Sequence, residues 1–177
     1  MTNPGTSKVK LQLTTPSDRE IAMTRVFDAP RRLVFDAFTK PELVKQWLLG
    51  PPGWSMPICE IDLRVGGAYR YVWRRDSDGS EMGMGGVYHE IAAPERLVAS
   101  EKFEQPWYPG EAIGTTVLVE QGGKTTITQT VLYQSQEARD AVLKSGMERG
   151  VAASYDRLAE LVASLVTPGM EKGASPS

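Results

Sequence analysis

Residues 28–54, DAPRRLVFDAFTKPELVKQWLLGPPGW, hold two short helices and a rigid turn in one compact stretch. Asp28 is placed to cap the first helix, and Pro30 suits its first turn, where a backbone N–H has no partner to lose. Leu33, Val34, Ala37 and Phe38 then recur at helical spacing. Thr39, Lys40, Pro41 and Glu42 read as a capping box with proline inside the first turn. They open a second helix through Leu43, Val44 and Trp47. Gly50-Pro51-Pro52-Gly53 ends it, because two consecutive prolines cannot continue a helix.

Upstream, Ile21, Met23, Arg25 and Phe27 alternate with Ala22, Thr24 and Val26, the pattern of a first strand over 20–27. Downstream the period switches to two. Cys59, Ile61 and Leu63 alternate with Glu60 and Asp62. Gly66-Gly67 is a turn, a strand follows over 68–74, and Asp76–Gly79 is a hairpin turn. Further strands are predicted at 82–91, 96–103, 112–120 and 124–133, with Gly122-Gly123 as another hairpin turn. From Gln136 to Val166 the apolar residues fall at helical spacing. The order is strand, two short helices, a run of antiparallel strands, then one long helix. Such an α+β chain must bury the apolar face of its last helix on the sheet.

At 177 residues, with 41% apolar and 24% charged side chains, the chain suits one globular domain with a substantial core. The expected boundaries are a flexible segment over 1–17, in which only VKLQL offers a marginal strand, a domain over 18–166 and a disordered tail over 167–177. A net charge of −2 gives no electrostatic reason to expect nucleic acid or an anionic membrane as partner. The longest apolar run, near Leu161–Val166, is too short to span a bilayer, and MTNPGTSKVK lacks the apolar core of a secretory signal. The expected location is the cytoplasm, where the lone Cys59 would stay reduced. With His89 as the only imidazole, neither a metal nor another cofactor is expected.

The motifs DAPRRLVFDAF, PELVKQW, GPPGW, DLRVGGAYRYVWR, GVYHEIAAPERLV and SYDRLAEL, in this order, resemble the START-like (SRPBCC, helix-grip) superfamily. The branch they match is the one named after the C-terminal domain of the Hsp90 ATPase activator. The resemblance covers roughly residues 19–165. It implies a curved antiparallel sheet of about six to seven strands gripping a long C-terminal helix, with a cavity between them for an apolar or amphipathic small molecule. Relatives of this kind include lipid carriers, polyketide cyclases and antibiotic self-resistance proteins, so the fold does not decide the function.

Strand alternation proposes the cavity wall. Tyr69, Tyr71 and Trp73 share one face, with Arg70 and Arg74 on the other. Met82, Met84 and Tyr88 share a face, as do Leu97, Ala99, Glu101 and Phe103. Thr115, Val117 and Val119 are expected inward on the next strand, and Ile127, Gln129, Val131 and Tyr133 on the last. Trp47, Trp54 and Trp107 are candidates for the pocket mouth or for plugs of the core end. Met147, Val151 and Ser154 present the helix face, beside Gly146 and Gly150. Those glycines imply close helix–sheet approach, room for a ligand, or, at Gly146, a break in the helix. The candidate ligand-binding set is therefore Trp47, Trp54, Tyr71, Trp73, Met84, Tyr88, Glu101, Phe103, Trp107, Gln129, Tyr133, Met147, Val151 and Ser154.

Glu101 is the residue with most at stake. A carboxylate among Leu97, Ala99 and Phe103 is either a ligand anchor or acid–base group, or is paired with an arginine, or sits at a strand end open to water. Other catalytic templates fail: there is no GxSxG elbow, Cys59 has no neighbouring base, and His89 falls in solvent phase. No catalytic residue is assigned. The leading expectation is binding of a small apolar or aromatic molecule without transformation. The alternatives are a polyketide cyclase-like enzyme using Glu101, Tyr71 or Tyr133, and an Hsp90 interaction module. A homodimer through an edge strand or helix is compatible with the pattern.

Overall fold

A computed structural model of the chain describes residues 10–166. The expected tail over 167–177 and residues 1–9 of the N-terminal segment lie outside the described residues. The strands are β1 (Gln12–Thr14), β2 (Glu20–Phe27), β3 (Trp54–Ile61), β4 (Ala68–Arg75), β5 (Glu81–Ala92), β6 (Arg96–Phe103), β7 (Ala112–Gln121) and β8 (Lys124–Leu132). The helices are α1 (Arg31–Thr39), α2 (Pro41–Trp47), α3 (Gln136–Lys144) and α4 (Met147–Leu165). All eight strands join one antiparallel sheet in the order β1-β2-β8-β7-β6-β5-β4-β3. This is the α+β helix-grip arrangement, with one more strand than expected because Gln12–Thr14 pairs with β2 at the edge.

The two short helices form where expected, but their caps differ. Asp28 is exposed and Pro30 occupies the N-cap of α1 without a side-chain cap. The Arg31 N–H donates instead to Oε1 of Glu120 at the end of β7, 2.8 Å away. A distant strand thus supplies the acceptor that Asp28 was expected to provide. Lys40 is the N-cap of α2, with Pro41 in the first turn. Thr39 is buried and its hydroxyl donates back to the Phe35 carbonyl at 2.9 Å, so the expected capping box does not form.

Three further expectations are corrected. The helical stretch over 136–166 is broken, because Gly146 adopts φ 82° and separates α3 from α4. Few residues other than glycine accept that conformation. Leu63 lies beyond the end of β3 and is 41% exposed. In β7 the inward positions are Ala112, Gly114, Thr116 and Leu118, while Val119 is 51% exposed and Thr115 and Val117 take the opposite face. The phase of the strand is therefore the reverse of the one expected.

On the outer face Arg70 and Arg74 of β4 form ion pairs, with Glu104 just after β6 and with Glu81 of β5, each at 2.7 Å. On the inner side, Phe27, Val34, Val44, Trp47, Ile127, Tyr155 and Leu158 build a core between the sheet and α1, α2 and α4. A second cluster around Ile21, Met23, Val131, Tyr133 and Val142 lies under α3. No helix among the described residues is long and apolar enough to cross a membrane.

Candidate ligand-binding cavity

A cavity of about 660 Å³ opens between the inner face of the sheet, α2 and α4. Its size falls within the range of small-molecule sites. All fourteen candidate residues lie on its walls. β4 contributes Tyr71 and Trp73, β5 contributes Met84 and Tyr88, and β6 contributes Glu101 and Phe103. Gln129 and Tyr133 come from the β8 side, and Met147, Val151 and Ser154 from α4.

The tryptophans divide by depth. Trp47 is 2% exposed, packs on Phe38 and Tyr155, and donates its indole N–H to the Ala37 carbonyl at 2.8 Å. It is a wall of the cavity and not part of the mouth. Trp73 donates to the Leu48 carbonyl at 2.7 Å, tying β4 to the segment after α2. Trp54 is half-buried beneath the Arg75 guanidinium, 5.1 Å from its ring centroid. Trp107 is 42% exposed and packs edge-on against Phe103 and Tyr108, forming the outer lip.

The GPPG turn is fastened to α4 from both sides. The Gly50 N–H donates to Oγ of Ser154 at 2.8 Å, and Nη1 of Arg157 donates to the Gly50 carbonyl at 2.7 Å. A Cβ on Gly150 would meet Cδ of Pro51 at 3.4 Å. Gly150 therefore serves close packing of the turn on the helix, and Gly146 ends a helix.

Glu101 is half-buried on the cavity wall. Among the described residues no arginine or lysine pairs with it, and desolvation alone pushes its pKa up to about 7. The expected alternative of an arginine pair is therefore corrected. The surrounding hydroxyls belong to Tyr69, Tyr71, Tyr108, Tyr133 and Tyr155, whose own ionisation is held upward by burial first and by the Glu101 charge among the further causes. Tyr69 donates to the Ser100 carbonyl at 2.7 Å and Tyr155 to Oε1 of Gln129 at 3.1 Å. Burial likewise pushes the Cys59 thiol up to about 11, so it stays protonated at neutral pH and is a poor nucleophile.

Several lining residues were absent from the candidate set. Tyr69 shares the face of Tyr71, and Met23 shares that of Ile21, so strand phase would have found both. Tyr155 follows Val151 by one helical turn. Tyr108 lies on a connection, Thr116 in the strand whose phase was inverted, and Arg149 at an exposed rim. Pattern gives little signal for those three.

The architecture recurs in solved structures. A protein of Rhodobacter sphaeroides is 30% identical, with a TM-score of 0.82 over 88% of this chain and 99% of that one. A protein of Chromobacterium violaceum is 29% identical, with a TM-score of 0.69 over 81% and 96%. Protein NE0264 of Nitrosomonas europaea is 25% identical, with a TM-score of 0.74 over 84% and 96%. Among curated proteins, none matches in sequence. Residues 28–163 match the family described as Activator of Hsp90 ATPase homolog 1-like protein, a span that takes in both short helices, the sheet from β3 onward and nearly all of α4. The chain belongs to that family.

Proposed function

We propose that the protein binds a small hydrophobic or aromatic molecule in the cavity between the sheet and α4. The observation that carries this reading is the cavity itself, about 660 Å³ of space walled by aromatic and methionine side chains where a filled core would otherwise stand. Methionines Met23, Met82, Met84 and Met147 give an adaptable apolar lining. Native mass spectrometry of the purified protein tests the reading: a co-purified small molecule that is lost on denaturation supports it. Failure to retain or bind any member of an aromatic and lipid panel contradicts it.

A second reading is favoured by Glu101. An unpaired carboxyl that titrates near neutral pH among tyrosine hydroxyls has the attributes of a general acid or base, as a cyclase-like reaction on a poly-keto or aromatic substrate would require. Turnover of such a substrate, abolished by Glu101→Gln, separates catalysis from simple binding.

A further inference from the structure

All six tyrosines of the chain line the one cavity, and a single carboxylate stands among them. Tyr69 and Tyr71 lie 5.0 Å apart and Tyr69 and Tyr88 5.5 Å apart by ring centroids, on the β4–β5 side. Tyr108 and Tyr133 lie 5.4 Å apart on the opposite side. Glu101, on β6, acts electrostatically on both groups.

The charge balance of this chamber is one-sided. The polar groups that line the cavity with Glu101 include the tyrosines, Gln129 of β8 and Ser154 of α4. β7 offers Gly114 and Thr116. Among the described lining residues the only cation is Arg149, which is exposed at the rim. A carboxylate half-buried in an apolar wall is costly unless paired, and among the described residues no cation pairs with it. Room is nevertheless kept for it: a Cβ on Gly114 would come within 2.6 Å of Oε2 of Glu101. Two of the tyrosine hydroxyls are committed elsewhere, Tyr69 to the Ser100 carbonyl and Tyr155 to Oε1 of Gln129, and aromatic walls favour cations over anions. One unpaired carboxylate in an aromatic-walled cavity is therefore complementary to positive charge on a ligand. A bare metal ion would need several oxygen ligands, and a single carboxylate with neutral tyrosines is a poor set for that.

We propose that the cavity takes a protonated organic amine with an apolar or aromatic body, its ammonium seated on Glu101 within the tyrosine ring. The inference deepens the binding function proposed above and rests on it. The body of the ligand occupies the methionine- and tryptophan-lined space, and the ammonium supplies the countercharge that the protein lacks. Binding draws a proton off Glu101 wherever the free carboxyl is still protonated.

Isothermal titration with three probes of one shape tests this: naphthylethylamine, naphthylethanol and naphthylacetate, at pH 8. The amine is expected to bind at least about tenfold tighter than the alcohol, the scale of a charge-assisted hydrogen bond, and the acetate weakest. Glu101→Gln is expected to abolish the preference, and a cooperative thermal melt shows that the variant is folded. At pH 6.5 the heats are expected to vary with buffer ionisation enthalpy, reporting release of the Glu101 proton. If the alcohol binds as tightly as the amine, or the preference survives in Glu101→Gln, the amine proposal is overturned while the cavity reading stands. If none of the three binds, the cavity reading falls and takes the amine proposal with it.

Discussion

The carboxylate of Glu101 lies over Gly114 of the neighbouring strand, so close that a Cβ there would approach Oε2 to 2.6 Å. The position of the charge therefore depends on the absence of a side chain one strand away. Gly114→Ala pits a small gain in backbone entropy against displacement of the carboxyl. Because the obstructed atom ends a flexible side chain, the cost to stability is expected to stay within about 1–2 kcal/mol. The change in Glu101 titration, followed by carbon NMR of the carboxyl, is expected to be clear. An unchanged titration would show that the carboxyl does not rest where this contact puts it.

Ionisation of Glu101 links folding to pH. The folded-state pKa, about 7, lies above the ordinary value of 4.5, so the native state holds its proton more tightly than the unfolded chain. The associated stability is fully present below pH 4.5 and is lost as pH rises through about 7. At 1.36 kcal/mol per unit the loss is on the order of 3 kcal/mol. Glu101→Gln is expected to flatten this part of the profile and to exceed the parent in stability above pH 7. Urea denaturation between pH 4 and 9 measures it, and parallel profiles for the two proteins would contradict the desolvation of an unpaired carboxyl.

Met147 opens α4 and faces the cavity. A ligand at a hundred times its dissociation constant stabilises a protein by about 2.7 kcal/mol. For a chain of this size that is a rise in Tm of roughly 5–10 °C. Met147→Trp is expected to fill the space and abolish the rise while leaving a cooperative melt. A full ligand-induced shift in the variant would place the binding site elsewhere.

The fastening of Gly50 to α4 makes another separable prediction. Ser154→Ala removes the acceptor of the Gly50 N–H, and Arg157→Ala removes the donor to its carbonyl. Each is expected to cost about 1 kcal/mol, and the double variant less than their sum, because both act on one peptide segment. Thermal melts together with amide exchange at Gly50 check this. Strict additivity would argue against a shared latch.

The fold was legible because residues 28–54 combine helix spacing, a proline at the start of each helix and a double-proline stop, signals that act locally. The caps were not, since Glu120 reaches the Arg31 N–H from the far end of β7, a contact only tertiary structure brings together. Strand phase found the walls on β4, β5, β6 and β8, where aromatic residues and Glu101 break the outer pattern of charge. It failed on β7, where Thr115, Val117 and Val119 carry the stronger β propensity but the inner face needs small residues beside Glu101. That no cation among the described residues pairs with Glu101 was beyond the sequence, because the 20 lysines and arginines are spread along the chain and only packing decides which of them comes near.

Methyl NMR of the methionines tests the binding cavity most directly. Met23, Met82, Met84 and Met147 line it, whereas Met56 is buried in the adjoining core and does not. Titration of the methyl-labelled protein with naphthylethylamine is expected to shift the signals of those four and to leave Met56 nearly unmoved. Shifts confined to Met56, or none at all at saturating ligand, would contradict a ligand site between the sheet and α4.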